Sequence, residues 1–376
     1  MNDAALTLSR AAGIRASLHR AALHYGGGLV LHTASSGSVA SLEALYLRLE
    51  EAGQCGTGEV RINCAYLNGY AAEQIVDEAF KAIAQIDWSQ GAHALFDSLG
   101  ALIAPYGAPV RTLIDSALHD LRARQLGISV AALYGAAQRT QAPSWRTNQT
   151  LFWSSDDAML ARAAQYLDRG FRDLKLRVGV AHFDDDLRRV DLLHSRFGAR
   201  LTLSVDANGQ WRPEDCATRF AALAARGVDY VEQPIAAGDW DALRDVARAS
   251  PITLMLDESL QSPADIDALC ALAGLPVAAH LKLLKLGGIA ATVAAARKLQ
   301  AAGVALMIGQ MNEGALATAA ALQACCACGP RWAELYGADG LVDDPARGIV
   351  YRDGGVNVTD PHGLGVSFDA ALTTTL

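Results

Sequence analysis

The chain has 376 residues, a mass of 39.6 kDa and a formal net charge of −8 at pH 7. This charge argues against binding to nucleic acid or to an anionic membrane, because both need clusters of Lys and Arg. Apolar residues make up 51% of the sequence and charged residues 19%. A chain of this composition buries a large core and is not disordered. Its length fits one α/β barrel with a smaller second domain.

Seven cysteines without regular spacing do not predict a disulfide framework, and Cys325, Cys326 and Cys328 lack the spacing of a zinc site. We expect them to be small buried residues. The first ten residues have no cationic start followed by an apolar run, so we expect no signal peptide. The longest apolar stretch, 315–328, is too short to span a membrane. The sequence therefore predicts a soluble, cytoplasmic protein.

Residues 12–62 alternate apolar and polar side chains with period two, which predicts a three-stranded antiparallel sheet. The predicted strands contain 14–18, 29–31 and 42–52, with a loop at 33–38 and an end at Gly56–Gly58. Between 72 and 127 the apolar spacing becomes four residues, which predicts helices. Examples are Ile75, Ala79 and Ile83, and then Leu113, Ala117 and Leu121. The first part of the chain is thus predicted to be α+β.

From residue 144 to about 340, short apolar runs alternate with amphipathic helices. Pro213 and Pro263 are placed for the first turns of two helices, and Gly227 and Gly303 are placed to follow helix ends. Near-continuous apolar strands alternating with helices predict a parallel sheet, and seven or eight such units favour a closed barrel. The runs are 172–178, 201–206, 228–232, 252–257, 277–284, 304–308 and 332–335.

Charged residues stand near the carboxyl ends of these runs. Lys175, Asp206, Glu232, Asp257 and Lys282 follow one another at intervals of 31, 26, 25 and 25 residues. Each interval is one βα repeat, so each residue occupies the same position in its unit. The carboxyl ends of barrel strands converge at one mouth, where active sites lie.

Three carboxylates that converge there, from Asp206, Glu232 and Asp257, repel one another unless a cation lies between them. Oxygen ligands with no His or Cys nearby predict Mg²⁺, with Mn²⁺ as the alternative. Each acid alone is also explained as a cap of the helix that follows its strand. Acids in three successive repeats, flanked by lysines, favour the metal.

A cation can stabilise a substrate carboxylate as its α-carbon loses a proton, and a neighbouring lysine can take that proton. Lys282 is the predicted base. Arg177, Lys285 and the cation are expected to lower its pKa from about 10.4. The alternatives are an exposed lysine at 282 and a solvated or carbonyl-capping lysine at 285, where the strand parity is opposite.

In this order and spacing, the motifs resemble those of the enolase superfamily, in particular its muconate lactonizing enzyme subgroup, over nearly the whole chain. The motifs are Lys175-Leu176-Arg177, Val205-Asp206-Ala207-Asn208, Val231-Glu232-Gln233-Pro234, Leu256-Asp257-Glu258-Ser259, Leu281-Lys282-Leu283-Leu284-Lys285 and Gly309-Gln310-Met311-Asn312-Glu313. The resemblance implies Mg²⁺ ligation by Asp206, Glu232 and Asp257, and catalytic roles for Lys175, Arg177 and Lys282. It implies that further residues hold the ligands or the substrate: Asn208, Glu258, Lys285, Gln310, Glu334 and Tyr336.

The resemblance also implies a fold, a modified TIM barrel (β/α)7β with an N-terminal α+β capping domain. The expected domains are 1–140 for the cap, 141–350 for the barrel and 351–376 for a C-terminal segment that returns to the cap. Residues 33–39 and the segment after Glu59 are expected to set substrate specificity. We expect a homo-oligomer that acts on a small carboxylate substrate.

Two details bear on the reaction. Glu334-Leu335-Tyr336-Gly337 is similar to the Glu-Leu-Phe-Gly of cycloisomerases, whereas dipeptide epimerases tend to have Asp-x-Asp there. Arg177 stands where the family usually has a second lysine base, and Arg stays protonated. A one-base outcome, cycloisomerisation or β-elimination, is therefore predicted. The alternatives are a racemase or epimerase of an N-acyl amino acid or dipeptide, an acid dehydratase, and a non-catalytic binding homologue.

Overall fold

The structure is a computed structural model that describes residues 13–26, 31–33, 37–65, 69–137 and 142–376. The N-terminal part of the described chain contains an antiparallel sheet and a separate hairpin. Its strands are β1 (Arg15–Leu23), β2 (Leu31–Thr33), β3 (Gly37–Val39), β4 (Leu42–Glu51) and β5 (Gln54–Arg61). β1 pairs with β4 and β4 with β5 in the sheet, and β2 pairs with β3 in the hairpin. Ala52 and Gly53, both with positive φ, form the tight turn between β4 and β5.

The third strand of the main sheet is β5, so the prediction of an end at Gly56–Gly58 was wrong. Of the predicted strand at 29–31, Leu31 lies in β2, which pairs with β3 and not with the main sheet. Residues 29 and 30 lie outside the described residues. Gly56 and Gly58 lie inside β5 because a helix packs directly on them. A Cβ on Gly56 would lie 2.2 Å from the Leu121 nitrogen, and one on Gly58 would lie 2.2 Å from the Leu113 oxygen.

Helices follow the sheet, as the four-residue spacing predicts. They are α1 (Ala72–Gln85), α2 (Gly91–Asp97), α3 (Leu99–Ile103) and α4 (Ala108–Leu126). Leu113, Ala117 and Leu121 on α4 are buried against the sheet. Gly127, in the left-handed conformation, ends α4. Short 3-10 turns occur at Trp88–Gln90, Val130–Tyr134, Gly198–Arg200 and Ala370–Leu372.

Eight parallel strands then form a barrel, in which every strand pairs with its sequence neighbours. They are β7 (Gln149–Leu151), β8 (Asp173–Arg177), β9 (Thr202–Asp206), β10 (Tyr230–Glu232), β11 (Thr253–Leu256), β12 (Val277–Lys282), β13 (Ala305–Gly309) and β14 (Trp332–Glu334). The Asn148 N–H donates to the Ala333 carbonyl at 3.0 Å and joins the first strand to the last. The sequence analysis missed only β7, which is short and weakly apolar.

Helices alternate with these strands and cover the barrel, which gives the predicted (β/α)7β fold. They are α5 (Asp156–Asp168), α6 (Phe183–Phe197), α7 (Pro213–Ala224), α8 (Trp240–Arg248), α9 (Pro263–Cys270), α11 (Ile289–Ala301) and α12 (Ala315–Cys328), with the single turn α10 (Leu283–Leu286) after β12. Pro213 and Pro263 begin α7 and α9, as predicted. In the described part of the chain, no helix is long and apolar enough to cross a membrane.

The remaining strands are short. They are β6 (Ser144–Arg146), β15 (Ala346–Arg347), β16 (Ile349–Arg352), β17 (Gly355–Val358), β18 (Ser367–Phe368) and β19 (Thr374–Thr375). β17 pairs with both β16 and β6, and β15 pairs with β18. β19 pairs with β1, so the end of the described chain completes the N-terminal sheet.

Strand parity separates the apolar core from the barrel interior. On β12, Ala279 and Leu281 join the large apolar cluster between strands and helices. Ala278 joins a small cluster inside the barrel with Tyr230, Met255 and Met307. Since side chains alternate along a strand, His280 and Lys282 share the inner face with Ala278.

Two carboxylates from the N-terminal part cap helices of the barrel. Glu59 on β5 accepts hydrogen bonds from the first-turn N–H groups of α12, with distances of 2.6 to 3.1 Å. Asp115 on α4 accepts from the N–H groups of Ile289 and Ala290 at the start of α11. These bonds satisfy helix N–H groups that lack a partner within the helix, and they fix the sheet over the barrel.

Candidate active site

Polar side chains gather at the carboxyl ends of the barrel strands. The last residues of β8, β9, β10, β12 and β14 are Arg177, Asp206, Glu232, Lys282 and Glu334, and Asp257 directly follows β11. Parallel strands end on one side of a barrel, so intervals of one βα repeat bring these groups to one mouth. The carboxylates and lysines are almost fully buried, and each therefore needs a charged or hydrogen-bonding partner.

Lys175 stands among three carboxylates. Its Nζ lies 2.8 Å from Glu232 Oε2 and 3.6 Å from Asp206 Oδ2, and it also forms an ion pair with Glu334. Burial alone would lower the pKa of this lysine, but the surrounding carboxylates hold the pKa well above its usual value. Lys175 is thus a buried cation that holds the acidic groups together.

The cations determine which carboxyls of this cluster are ionised. Burial raises the pKa of Glu232, but Lys175 and His280 outweigh burial and hold that pKa below its ordinary value. For Asp206, burial prevails over the attraction of Arg177 and raises the pKa to about 7. Glu232 is therefore the more firmly ionised of the two acids on neighbouring strands.

Lys282 and Lys285 share one carboxylate. Lys282 Nζ lies 2.7 Å from Asp257 Oδ2, and Lys285 Nζ lies 2.6 Å from Asp257 Oδ1. Despite burial, the two ammonium groups hold the pKa of Asp257 well below its usual range. The expectation that cations lower the pKa of Lys282 was wrong for this structure. Asp257 and Glu334 outweigh burial and raise that pKa, whereas burial lowers the pKa of Lys285.

The strand-parity argument also failed for Lys285. The strand ends at Lys282 and α10 begins at Leu283, so the period of two no longer applies three residues later. Lys285 is buried and also donates to the Asp257 carbonyl oxygen. It is a carbonyl-capping lysine, one of the two alternatives in the sequence analysis, and at the same time a partner of an acid at the mouth.

Arg177 connects Asp206 to the outer part of the site. Its Nη1 pairs with the Asp206 carboxylate and donates to Asn208 Oδ1 at 2.6 Å. Asn208 Nδ2 donates in turn to Glu258 Oε1 at 3.0 Å. Burial and the charge of Asp257 raise the pKa of Glu258. The guanidinium is thereby fixed at the place where the resemblance implies a lysine base.

Glu334 completes the carboxylate cluster, whereas Gln310 does not join it. Glu334 Oε2 accepts from Asn148 Nδ2 at 3.0 Å, and Oε1 lies 4.0 Å from Lys282 Nζ. Gln310 Nε2 instead donates to Thr318 Oγ1 on α12 at 2.9 Å. Tyr336 is nearly buried and packs edge-to-face with Phe152, with 6.3 Å between ring centroids.

His280 also lies at this mouth, so the prediction that no histidine lies near the three acids was wrong. His280 Nδ1 lies 3.0 Å from Glu232 Oε1, and the ring is fully buried. Burial and the neighbouring Lys282 lower the pKa of this imidazole. The signal was present in the sequence, because His280 precedes Lys282 by two residues and therefore faces the same side of the strand.

The donor set fits a divalent cation. One ligand atom from each of Glu232, Asp257 and His280 lies within 4.8 Å of the others. Asp206 is not in this group of three, but it lies beside it, because Lys175 Nζ lies 3.6 Å from Asp206 and 2.8 Å from Glu232. Several converging carboxylate oxygens suit Mg²⁺ or Mn²⁺. The assignment of Asp206, Glu232 and Asp257 as ligands stays a prediction.

The N-terminal part reaches this mouth through the loop after β13. Asn312 Nδ2 donates to the Tyr25 hydroxyl at 2.8 Å, and Arg61 Nη1 donates to the Asn312 carbonyl at 3.3 Å. In the same loop, Met311 Sδ lies 3.7 Å from Lys282 Nζ. Of the predicted specificity segment 33–39, residues 34–36 lie outside the described residues, and Val39 packs against the large apolar cluster.

Comparison with known proteins identifies the family. Residues 158–372, more than half of the chain, match the family described as enolase C-terminal domain-like. The chain belongs to the enolase superfamily, in its muconate lactonizing enzyme-like subgroup. The predicted family and fold class are thus confirmed, and the chain is an enzyme of this superfamily.

The relatives of this superfamily member catalyse different reactions. An L-Lys-D/L-Arg epimerase from Methylococcus capsulatus is 34% identical, covering 70% of this chain and 73% of the epimerase. A chloromuconate cycloisomerase from Pseudomonas putida is 33% identical over 69% of this chain and 70% of the cycloisomerase. The structure of a dipeptide epimerase from Methylococcus capsulatus with Mg and L-Arg-D-Lys superimposes with a TM-score of 0.84 and 28% identity, covering 95% of this chain and all of that one.

Proposed function

We propose that this enzyme removes the proton α to a substrate carboxylate and forms an enediolate intermediate, with Lys282 as the base and Mg²⁺ as the cofactor. The observation that carries the proposal is the contact between Lys282 and Asp257, 2.7 Å, at a mouth that also holds Asp206 and Glu232. A lysine this close to a proposed cation ligand lies within reach of the α-carbon of a substrate whose carboxylate the cation would hold. A small carboxylate is the proposed substrate class.

Asp206, Glu232 and Asp257 would hold the cation, and Mn²⁺ is the alternative to Mg²⁺. When bound, the cation supplies positive charge that stabilises the substrate carboxylate while the α-carbon loses its proton. The oxygen-rich donor set supports this assignment. His280 adds a nitrogen near two of the acids, which is compatible with Mn²⁺.

The proposed roles of the remaining groups follow from their contacts. In a β-elimination, the Lys282 amine would take the α-proton and the resulting ammonium would deliver it to the leaving group. In a cycloisomerisation, Lys282 would transfer the proton between its amine and the α-carbon as the ring opens or closes. Lys175 holds Glu232 and Glu334, and its charge attracts an anionic substrate. Arg177 stays protonated and is held by Asp206 and Asn208, so it binds rather than transfers a proton. One base favours a cycloisomerisation or a β-elimination, as in an acid dehydratase.

An epimerase of dipeptides or N-acyl amino acids is the second candidate. The identity of 34% to an L-Lys-D/L-Arg epimerase favours it. This reaction needs a base on each face of the substrate carbon, and Lys175 is the second lysine at the mouth. Lys175 pairs with three carboxylates, whereas Lys282 has one close pair, with Asp257 at 2.7 Å, so more acids hold the proton of Lys175 than that of Lys282.

The decisive experiment is proton exchange at the α-carbon in D₂O, followed by NMR with Mg²⁺ present. The compounds are muconates, dipeptides, N-acyl amino acids, hydroxyprolines and sugar acids. One-base chemistry gives a lactone or an elimination product, or exchange with retention. Exchange with inversion supports the epimerase. Absence of exchange and turnover across all the classes, with Mg²⁺ bound, contradicts both candidates. Lys298→Ala, at an exposed lysine on α11, is the control variant.

We also propose that the chain divides at about residues 140 and 350, into the cap, the barrel and a C-terminal segment from 351 to 376. The pairing of β19 with β1 supports the return of this segment to the cap. The homo-oligomeric state and the cytoplasmic location stay predictions.

A further inference from the structure

His280 lies on the inner face of β12, directly below Lys282, and its ring is fully buried. Its Nδ1 lies 3.0 Å from Glu232 Oε1. An ionised carboxylate can only accept a hydrogen bond, so Nδ1 carries the hydrogen. The other carboxylate oxygen, Oε2, lies 2.8 Å from Lys175 Nζ. Glu232 is thus held at both oxygens by donors on two different strands.

Among the described residues, the second ring nitrogen of His280 has no hydrogen-bond partner. It faces Gly309 on the neighbouring strand β13, where a Cβ atom would lie only 2.1 Å from Nε2. Glycine at position 309 therefore makes room for the ring. A buried polar atom without a partner lowers stability, so the residue is poorly explained as a packing element.

We propose that His280 is a positioning residue that orients Glu232 for cation binding. This inference rests on the proposed function, because it takes Glu232 to be a ligand of the cation. A ligand that is already fixed by outer hydrogen bonds loses little freedom when the cation binds, and loss of such a bond typically lowers metal affinity by about 10–100-fold. Gly309 is part of the arrangement because it allows the ring to reach Glu232.

The test measures Mg²⁺ binding to the whole protein by isothermal titration calorimetry, together with the unfolding temperature of the metal-free protein. We expect His280→Ala to weaken Mg²⁺ binding by about 10–100-fold. The unfolding temperature should fall little, because the variant also removes the unpartnered nitrogen. His280→Asn, which keeps a donor, should recover most of the affinity. His93→Ala, at an exposed histidine on α2, is the matched control and should bind like the wild type.

A double-mutant cycle adds an independent measurement. Gly309→Ala should weaken Mg²⁺ binding in the wild type, because the added methyl group displaces the ring. In the His280→Ala background the same change should have a much smaller effect, limited to the contact of the new methyl group with Glu334 Cβ at 3.0 Å. Equal effects in the two backgrounds would contradict a role of Gly309 through His280.

The outcomes separate this inference from the proposed function. No Mg²⁺ binding by the wild type, or wild-type affinity in Glu232→Gln, overturns the proposed function and the inference with it. Wild-type affinity in His280→Ala, when the wild type binds and Glu232→Gln does not, overturns the inference alone. If His280→Ala weakens Mn²⁺ but not Mg²⁺ binding and His280→Asn recovers nothing, the ring is a direct ligand, and the positioning role is wrong.

Discussion

Arg177 donates through Nη1 to the side-chain oxygen of Asn208 at 2.6 Å. Asn208 itself is held at a positive φ by the turn after β9, and its backbone N–H donates to Asp206. The guanidinium therefore cannot leave its place without breaking a connected set of bonds. This explains how a cation that does not titrate is kept on the strand where the resemblance implies a base.

Arg177→Lys tests whether this cation limits the enzyme to one base. A lysine titrates near pH 10 in water, whereas a guanidinium does not titrate in the working range. We expect the variant to gain α-proton exchange with inversion in D₂O, measured by NMR and chiral chromatography. Arg188→Lys, at an exposed ion pair with Asp156, is the control. A variant with unchanged stereochemical outcome contradicts the argument that Arg177 excludes the second base.

Lys282→Ala should lower kcat by about 10²–10⁴-fold, the usual contribution of a general base. The fold should survive, because Asp257 keeps Lys285 as a partner at 2.6 Å. Steady-state kinetics and circular dichroism measure the two effects. Retention of wild-type turnover shows that the base is another residue. If Lys282→Ala does not fold by circular dichroism, Lys282→Arg replaces it. This variant keeps the positive charge beside Asp257 but cannot transfer the proton, so it should fold and still lose turnover.

Glu59→Ala should destabilise the protein by about 1–2 kcal/mol, because α12 loses the carboxylate that caps its first turn. Glu59→Gln keeps an acceptor oxygen and should cost less, since burial and Asp344 already raise the pKa of Glu59 well above its usual value. Urea unfolding measures both variants, with exposed Glu73→Gln as the control. Equal stability of all three variants contradicts the role of Glu59 in joining β5 to the barrel.

Gly58→Ala should destabilise the protein by about 1–3 kcal/mol or more, because the new methyl group meets the backbone of α4 at 2.2 Å. Gly100→Ala on α3 is the matched control. Nothing lies within 4 Å of its Cβ position, so the change should stabilise by roughly 0.5–1 kcal/mol through helix propensity. Thermal unfolding of the two variants should shift in opposite directions. A shift of both unfolding temperatures in the same direction would show that β5 and α4 can move apart without loss of stability.

Asp186 predicts a pH dependence of stability. Burial raises the pKa of this carboxyl on α6 from 3.8 to about 6. A raised pKa in the folded state favours the protonated acid, so this contribution to stability is complete below pH 3.8 and is lost as the pH rises through 6. Asp186→Asn does not titrate. Its unfolding free energy relative to the wild type should therefore rise by about 1 kcal/mol between pH 4 and pH 7.5.

Urea unfolding at several pH values measures this difference. Exposed Asp184→Asn, in the same helical turn, is the control for replacing a carboxyl by an amide on this helix. A constant offset between Asp186→Asn and the wild type across the pH range would mean that the Asp186 carboxyl titrates alike in the folded and unfolded protein.

The residues at the mouth of the barrel could be predicted because they are separated by whole βα repeats. This spacing places Asp206, Glu232 and Lys282 at strand ends regardless of how the strands pack. Lys285 could not be placed in this way, since a change from strand to helix after Lys282 alters the direction of each side chain. The pKa of Lys282 depends on a distance to Asp257 that no spacing rule supplies.

Other features depended on contacts between distant segments. Gly56 and Gly58 were interpreted as the end of a strand because their packing partner, α4, lies about 60 residues away in sequence. His280 was not predicted, although its parity with Lys282 places it on the same face of the strand. The sequence therefore gives the position of a polar side chain more readily than its partner.

The bonds from Glu59 to α12 have a mechanical consequence. The loop that precedes α12 carries Met311 next to Lys282, and its Asn312 is bonded to Tyr25 and Arg61. The place of Met311 beside Lys282 thus depends on a loop that Tyr25 and Arg61 hold. Substitutions at these two residues of the N-terminal part are therefore expected to change the surroundings of the base while every barrel residue stays the same.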